Sequence, residues 1–112
     1  MPNQEVQLNR VFQALADPTR RAVLARLSEG PIATTELARR FTMALPSFTQ
    51  HLGVLESCGL VRSKKDGRVR TYELTPRPLK AAESWLSRRR AVWEKRLDQL
   101  DSYLMKMKER KT

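Results

Sequence analysis

Apolar positions in the first part of the chain recur at helical spacings. Between residues 5 and 16 they predict an amphipathic helix. Asp17 and Pro18 predict the start of a second helix, because aspartate caps helices well and proline suits the first turn. Residues 34–41 predict a short third helix that opens with a cap from Thr34.

The next segment predicts a fourth helix over residues 46–57. Phe48, Leu52 and Leu55 recur at i, i+4 and i+7, which is the spacing of one buried stripe. Gly59 is placed to end this helix in a left-handed conformation.

After this glycine the hydrophobic period changes. Residues 60–74 contain two β-prone runs, with Asp66 and Gly67 between them. Asp-Gly is a strong hairpin signal, because a type I′ turn needs a positive φ at both central residues. The pattern therefore predicts a two-stranded hairpin with Asp66 and Gly67 at its tip.

The end of the chain predicts one long helix over residues 76–108. Its apolar positions follow coiled-coil spacing: Trp93, Leu97, Leu100, Leu104 and Met107. About 30 residues of helix span roughly 45 Å, which a domain of this size cannot cover by itself. A second copy of the chain is the simplest partner for the exposed part.

Length and composition fit one small folded domain. The chain has 112 residues, of which 40% are hydrophobic. We expect a core over residues 4–75, with 60–74 as its hairpin, followed by the 76–108 helix. No run is apolar enough to cross a membrane, and the first residues do not resemble a secretory signal. The single cysteine, Cys58, favours a reducing, cytoplasmic setting and a small buried residue over a redox role.

The distribution of charge suggests an anionic partner. The net charge is +10, and nearly all of it lies in residues 60–112. The hairpin carries five cations: Arg62, Lys64, Lys65, Arg68 and Arg70. Nucleic acid is the usual partner of such a region, while a solvated, arginine-rich helix is the alternative interpretation.

The order of the predicted elements is that of a winged helix-turn-helix, a mainly α fold with a small β-hairpin wing (ααααββα). The second helix of the pair can lie in a DNA major groove, while the hairpin reaches phosphates or the minor groove. A long terminal helix would join two copies, so that two recognition helices read half-sites related by two-fold symmetry. Double-stranded DNA and a second copy are therefore the expected partners.

Several segments resemble the ArsR/SmtB-type bacterial repressors. They are ADPTRRAVL at residues 16–24, TELA at 35–38, PSFTQHLGVLE at 46–56, GLV at 59–61, GR at 67–68 and YEL at 72–74. The resemblance covers about residues 8–75. It implies a cytosolic, dimeric DNA-binding protein, often a repressor that an inducer releases.

The chain departs from the metal-binding members of that family. Founding members bind metal through a Cys-x-Cys in the first helix of the helix-turn-helix, where this chain has Glu36–Arg40 and no cysteine. Other members use histidine and carboxylates on the last helix, which here has no histidine. His51 and Cys58 lie two helical turns apart, too far to share an ion. We expect no metal and no other cofactor.

The recognition helix offers uncharged candidates for DNA contact. Ser47 and Gln50 lie opposite the core stripe and are candidates for base edges. Thr49 is expected to hold a phosphate, and Leu45 and Pro46 to touch a thymine methyl group. The alternative is that Ser47 caps the helix and Gln50 is only solvated.

Further DNA contacts are expected from His51 and from the hairpin. His51 either touches a phosphate or has a packing or hydrogen-bonding role. Lys64, Lys65, Arg68 and Arg70 are expected to contact phosphates or the minor groove. Charge on a hairpin edge also blocks aggregation, and both roles can hold together.

The expected dimer interface lies on the first and last helices. Its candidates are Leu8, Val11, Phe12, Trp85, Trp93, Leu97, Leu100 and Leu104. A pocket between the last helices is a possible site for an unknown small-molecule effector.

These observations favour a homodimeric repressor that binds an inverted-repeat operator. The alternative is a winged-helix module that binds protein without reading DNA, and the basic hairpin argues against it. The sequence shows no nucleophile with a base, no paired carboxylates in an apolar setting and no glycine-rich phosphate loop, so an enzyme is not expected.

Overall fold

A computed structural model describes residues 2–110. Its elements are α1 (Pro2–Leu15), α2 (Pro18–Leu27), β1 (Ile32–Ala33), α3 (Thr34–Ala38), α4 (Leu45–Ser57), β2 (Val61–Asp66), β3 (Val69–Leu74) and α5 (Pro76–Arg110). The mainly helical fold with a β-hairpin wing is thus confirmed. None of the helices in the described range is both long and apolar enough to cross a membrane.

The chain divides into two compact units, with the division between Ala82 and Glu83. This division lies inside α5, and the expected single domain with a core over residues 4–75 stays a prediction. Pro78 and Ala82 are buried, so the first turns of α5 belong to the core unit. Beyond them, α5 continues as an exposed helix to Arg110.

The start of α2 follows the predicted capping pattern. The Asp17 carboxylate accepts a hydrogen bond from the Arg20 backbone N–H at 3.0 Å, and Pro18 occupies the first turn. The predicted cap of α3 is wrong, because Ala33 occupies the capping position and makes no side-chain hydrogen bond. The hydroxyl of Thr34 instead donates to the Arg70 carbonyl at 2.9 Å, which ties α3 to β3.

The sheet has three antiparallel strands in the order β1-β3-β2. The sequence missed β1, which pairs Ile32 with Tyr72 and Ala33 with Thr71. Two residues are too few to show the alternation that identifies a strand. This strand exists because the hairpin offers it a free edge.

The turn of the hairpin differs from the prediction. Asp66 pairs with Val69, so Gly67 and Arg68 are the two central residues. Gly67 has a φ of +62°, and no non-glycine residue in the described chain has a positive φ. A positive φ at the first central residue alone is typical of a type II′ turn. Val61 and Tyr72 are both buried and lie on the same face of the hairpin.

The core contains the predicted stripe of α4. Phe48, Leu52 and Leu55 are each at most 1% exposed. Gly59 ends the helix with a φ of +79°, and the Leu60 N–H donates to the Leu55 carbonyl, as in a Schellman-type termination. Cys58 is a small buried member of the same core.

Candidate nucleic-acid interface

The outer face of α4 is exposed and uncharged along its first two turns. The helix begins at Leu45, one residue before the predicted start, with Pro46 in its first turn. Because Phe48 is 1% exposed and packs inward, Ser47 and Gln50 lie on the side open to solvent. Leu45 is 57% exposed at the tip of the helix. An uncharged polar face of this kind suits contacts to base edges.

An aromatic contact packs the start of α4 against the turn that precedes it. The rings of Phe48 and Phe41 lie with centroids 5.0 Å apart and their planes tilted by 36°. Phe41 belongs to the turn between α3 and α4, so this contact joins the turn to the helix that follows it. Such ring pairs add to the stabilisation from buried area alone.

The side chains of Ser47 and Gln50 are available for a partner. The capping position of α4 is Ala44, so the alternative that Ser47 caps the helix is wrong. Neither side chain forms a hydrogen bond to another residue in the described part of the chain. The Thr49 hydroxyl differs, because it donates to the Pro46 carbonyl at 3.0 Å and retains only its acceptor capacity for a partner.

His51 takes part in a hydrogen-bond network at the inner side of α4. Its Nδ1 lies 3.2 Å from Arg20 Nη1 and 3.8 Å from Asp17 Oδ2. Of the two roles left open for this histidine, the hydrogen-bonding role is observed for Nδ1. The sequence analysis did not single out Arg20. Its position directly after the Asp17 cap, in the DPTR motif, was the available signal.

The hairpin is attached to the C-terminal half of α4. The Ser63 hydroxyl donates to Glu56 Oε2 at 2.6 Å, and Arg70 Nη1 donates to Ser63 Oγ at 2.8 Å. Arg62 forms an ion pair with Glu73 across the two strands. Two of the five hairpin cations therefore have partners within the wing.

The other three cations, Lys64, Lys65 and Arg68, are exposed. Lys64 and Lys65 lie on β2, and Arg68 lies at the tip of the turn. The exposed face of α4 is uncharged, whereas the neighbouring hairpin is cationic. Phosphate contacts position a protein on a nucleic acid, and base contacts specify a sequence, so the two surfaces suit different contacts.

Two titratable groups next to α4 have shifted pKa values. The hydrogen bond from the Arg20 backbone N–H lowers the pKa of Asp17 below its ordinary 3.8, and the charges of His51 and Arg20 add to the effect. Burial raises the pKa of Tyr72 above its ordinary 10.0, and the Glu56 carboxylate adds to this. Asp17 is thus an anion and Tyr72 a neutral phenol near neutral pH.

The predicted interface residues fall into two groups. Leu8 and Phe12 are partly buried against the core, whereas Val11 is 1% exposed. Val11 is therefore a core residue of the single chain and offers no surface to a second copy. On α5, Trp85 is half-buried, and its ring lies 5.0 Å from the Arg89 guanidinium.

Beyond Trp85, one side of α5 forms an exposed apolar stripe. Its members are Leu86, Trp93, Leu97, Leu100, Leu104 and Met107. Trp93 is the most exposed of them, at 65%. We call these residues the α5 stripe. Large apolar side chains repeated in this way on one exposed helix face are typical of a surface that packs against a partner.

No three His, Cys, Asp or Glu side chains in the described range come together as metal ligands would.

A family model described as a helix-turn-helix domain matches residues 15–64. The chain is 45% identical over 80 residues to the HTH-type transcriptional regulator Rv2034 of Mycobacterium tuberculosis, covering 71% of this chain and 75% of that protein. It is 30% identical over 79 residues to the transcriptional repressor SdpR of Bacillus subtilis, covering 70% of this chain and 88% of that protein.

Solved structures of transcriptional regulators also match the chain. The crystal structure of the ArsR family transcriptional regulator RHA00566 matches with a TM-score of 0.76 and 54% identity, over 80% of this chain and 93% of that one. An ArsR-like transcriptional regulator from Rhodococcus sp. RHA1 matches with a TM-score of 0.72 and 33% identity, over 88% of this chain and 92% of that one.

Proposed function

The chain belongs to the ArsR family of helix-turn-helix transcriptional regulators, and from this premise we propose that it is a cytoplasmic, homodimeric repressor of an inverted-repeat operator. The observation that carries the proposal is the pairing of an uncharged, exposed face on α4 with a cationic hairpin held to the same helix. A relative that is named a transcriptional repressor, SdpR, supports the direction of regulation.

In this proposal the exposed face of α4 enters the major groove. Gln50 pairs with the edge of a base, for which adenine is the best geometric match, and Ser47 contacts a neighbouring base. Leu45 and Pro46 lie in the first turn of α4, which is the end of the helix that enters the groove. They touch a thymine methyl group. Thr49 accepts a hydrogen bond or packs near the sugar-phosphate backbone.

The hairpin supplies affinity for the phosphate backbone. Lys64, Lys65 and Arg68 are exposed and contact phosphates, with Arg68 at the tip placed to reach furthest. Arg70 has one guanidinium nitrogen on Ser63 and offers the remaining donors to the DNA. These contacts are indifferent to sequence, so they strengthen specific and non-specific binding alike.

The α5 stripe joins two copies of the chain, with Leu8, Phe12 and Trp85 adding to the interface. Burying half-exposed leucine and tryptophan side chains along several helical turns supplies a favourable free energy of the kind that drives association. Two-fold symmetry then presents two copies of α4 to two half-sites, which is why the operator is expected to be an inverted repeat.

A selection and competition experiment tests the proposal. Duplexes that bind the purified protein are recovered from a random pool and then compete against a scrambled duplex at the same salt concentration. We expect an inverted repeat that binds at least 10³-fold more tightly than the scrambled duplex. With about eight phosphate contacts in each dimer, log K should fall against log salt with a slope near −7. Equal affinity for both duplexes would contradict the proposal and favour a protein-binding module.

A further inference from the structure

One guanidinium group joins three helices of the core unit. Arg20 lies in the first turn of α2. Its Nε donates to the Ala14 carbonyl at 2.8 Å, and its Nη2 donates to the Gln13 carbonyl at 3.0 Å. Its Nη1 lies 3.2 Å from Nδ1 of His51 on α4. The same residue therefore contacts the end of α1 and the middle of the recognition helix.

The contacts at α1 go to carbonyls in its last turn, of which that of Gln13 also accepts a hydrogen bond from the Ala16 N–H at 3.2 Å. The last four carbonyls of an α-helix have no partner within the helix, and α1 ends at Leu15. Ala14 and Gln13 belong to that last turn. A planar guanidinium has five N–H donors in a fixed arrangement, so two bonds to successive carbonyls hold its plane in one orientation. The third nitrogen then has a defined position at His51.

The charge of Arg20 also determines which ring nitrogen of His51 carries the proton in the neutral imidazole. A guanidinium in a protein only donates hydrogen bonds. The Asp17 carboxylate lies 3.8 Å from the same Nδ1, beyond hydrogen-bond distance. Nδ1 of His51 therefore accepts from Arg20, and the proton of the neutral ring lies on Nε2. The His51 side chain is 23% exposed. Part of its ring is therefore accessible to a partner that binds the recognition helix.

We infer that Arg20 is a positioning residue for DNA binding: it holds His51 with its proton on Nε2, where the ring donates to a backbone phosphate, and it fixes α4 against α1. The DNA part of this inference rests on the proposed function. The tautomer and the contact between helices belong to the free protein and can be measured without DNA.

Nitrogen NMR of the free protein gives the first test. The chain has a single histidine, so ¹⁵N-histidine labelling of the full chain yields one pair of ring signals. At about pH 8 we expect the proton on Nε2 and an Nδ1 signal shifted by its hydrogen bond. In Arg20→Met the Nδ1 signal should move toward that of a solvated ring. A proton on Nδ1, or ring signals unchanged in Arg20→Met, would overturn the inference.

A matched control separates this role from general helix packing. Arg21 also donates to α1, from Nη1 to the Leu15 carbonyl at 2.7 Å, but the hydrogen bonds of its side chain do not reach α4. Arg21→Met removes the same charge and a similar contact. We expect it to leave the ring signals of His51 unchanged and to weaken DNA binding much less than Arg20→Met, which should cost about tenfold in affinity.

Two substitutions of His51 test the phosphate contact without touching Arg20. Glutamine places an N–H donor near the position of Nε2, whereas asparagine retains an acceptor near Nδ1 and has no donor at the outer position. On the duplex recovered by selection, His51→Gln should remain within about threefold of the wild-type affinity. His51→Asn should lose about tenfold.

Duplex added to the labelled protein should also move the Nε2 signal. Equal losses in both His51 variants, or an Nε2 signal that does not change on DNA binding, would overturn the phosphate contact. If no specific duplex is recovered, the proposed function fails, while the NMR result on the free protein still decides whether Arg20 sets the tautomer.

Discussion

The Ser63 hydroxyl donates a hydrogen bond of 2.6 Å to the Glu56 carboxylate, and this bond ties the wing to the recognition helix. Ser63 also accepts from Arg70, so one small side chain joins a cation of the hairpin to an anion of α4. The bond connects the hairpin to α4, and in the proposed function both of these elements bind DNA. Its removal should affect the angle between them more than the stability of the fold.

We therefore predict that Ser63→Ala weakens binding to the selected duplex by several-fold. The free energy of unfolding should change by no more than about 1 kcal/mol, because a hydrogen bond at the surface has a small net value. Binding is measured by fluorescence anisotropy and stability by urea denaturation. Ser57→Ala is a suitable control, since the Ser57 hydroxyl bonds only the Val54 carbonyl of its own helix. Equal effects of the two substitutions would contradict the prediction.

Gln50→Ala should relax sequence preference at one position of each half-site. Gln50 is exposed on α4, and a bidentate contact from glutamine to adenine contributes about 1–3 kcal/mol of discrimination. Affinities for duplexes that carry each of the four bases at that position measure the effect. We expect a nearly flat profile for the variant there and an unchanged profile elsewhere. A profile that keeps the wild-type preference would show that Gln50 does not read a base.

Arg68→Ala should weaken all duplexes alike. Arg68 lies at the tip of the hairpin and is exposed, where it is suited to a phosphate rather than to a base. The slope of log K against log salt should become less steep by about one for each protomer. Arg62→Ala is the matched control, because its guanidinium is already paired with Glu73. A change of base preference in Arg68→Ala would contradict a purely electrostatic role.

A charge on the α5 stripe should dissociate the dimer. Leu100→Glu places a carboxylate among apolar side chains, which is unfavourable once they are buried against a partner. Sedimentation velocity should show a shift toward the monomer, and affinity for an inverted repeat should fall with it. Ser102→Glu adds the same charge on the opposite side of the exposed helix and should leave the mass unchanged. A dimer that survives Leu100→Glu would exclude the stripe as the interface.

Asp17→Asn should destabilise the fold in a pH-dependent way. The folded-state pKa of Asp17 is lowered below its ordinary 3.8, so its charged form stabilises the native state. That contribution is fully present above about pH 4 and is lost as the pH falls through the lower, folded-state pKa.

The measurement is urea denaturation of the wild type and the variant from about pH 7 down to pH 2.5. Asparagine still caps a helix, so the difference reports mainly on the charge. We expect the two stability curves to converge at low pH. Asp98→Asn, on the exposed part of α5, is the control and should change little. A difference that stays constant across this range would show that the charge of Asp17 is not the cause.

The elements that the sequence predicted well are those with a local cause. The apolar spacing of Phe48, Leu52 and Leu55 required a helix with one buried side. Asp17 and Gly59 marked a helix start and a helix end through the conformations that those residue types favour.

Two of the wrong predictions concern groups whose surroundings come from distant parts of the chain. Thr34 was expected to cap its own helix but bonds Arg70 instead. Val11 has the spacing of an interface residue, yet the core closes over it. The hairpin turn lies one position later than predicted, with Gly67 and Arg68 as its central residues.

The sequence by itself determined which segments are helical, which segment carries the cationic hairpin and which face of α4 is free of charge, because periodicity and residue type act over a few neighbouring positions. Only the tertiary structure decided that Arg20 joins α1 to His51, that Ser63 joins the wing to Glu56 and that β1 exists at all. The contact of Arg20 with His51 and the pairing of β1 with β3 link residues distant in sequence, and the bond between Ser63 and Glu56 joins two different elements. Their geometry is therefore fixed by tertiary packing rather than by local sequence.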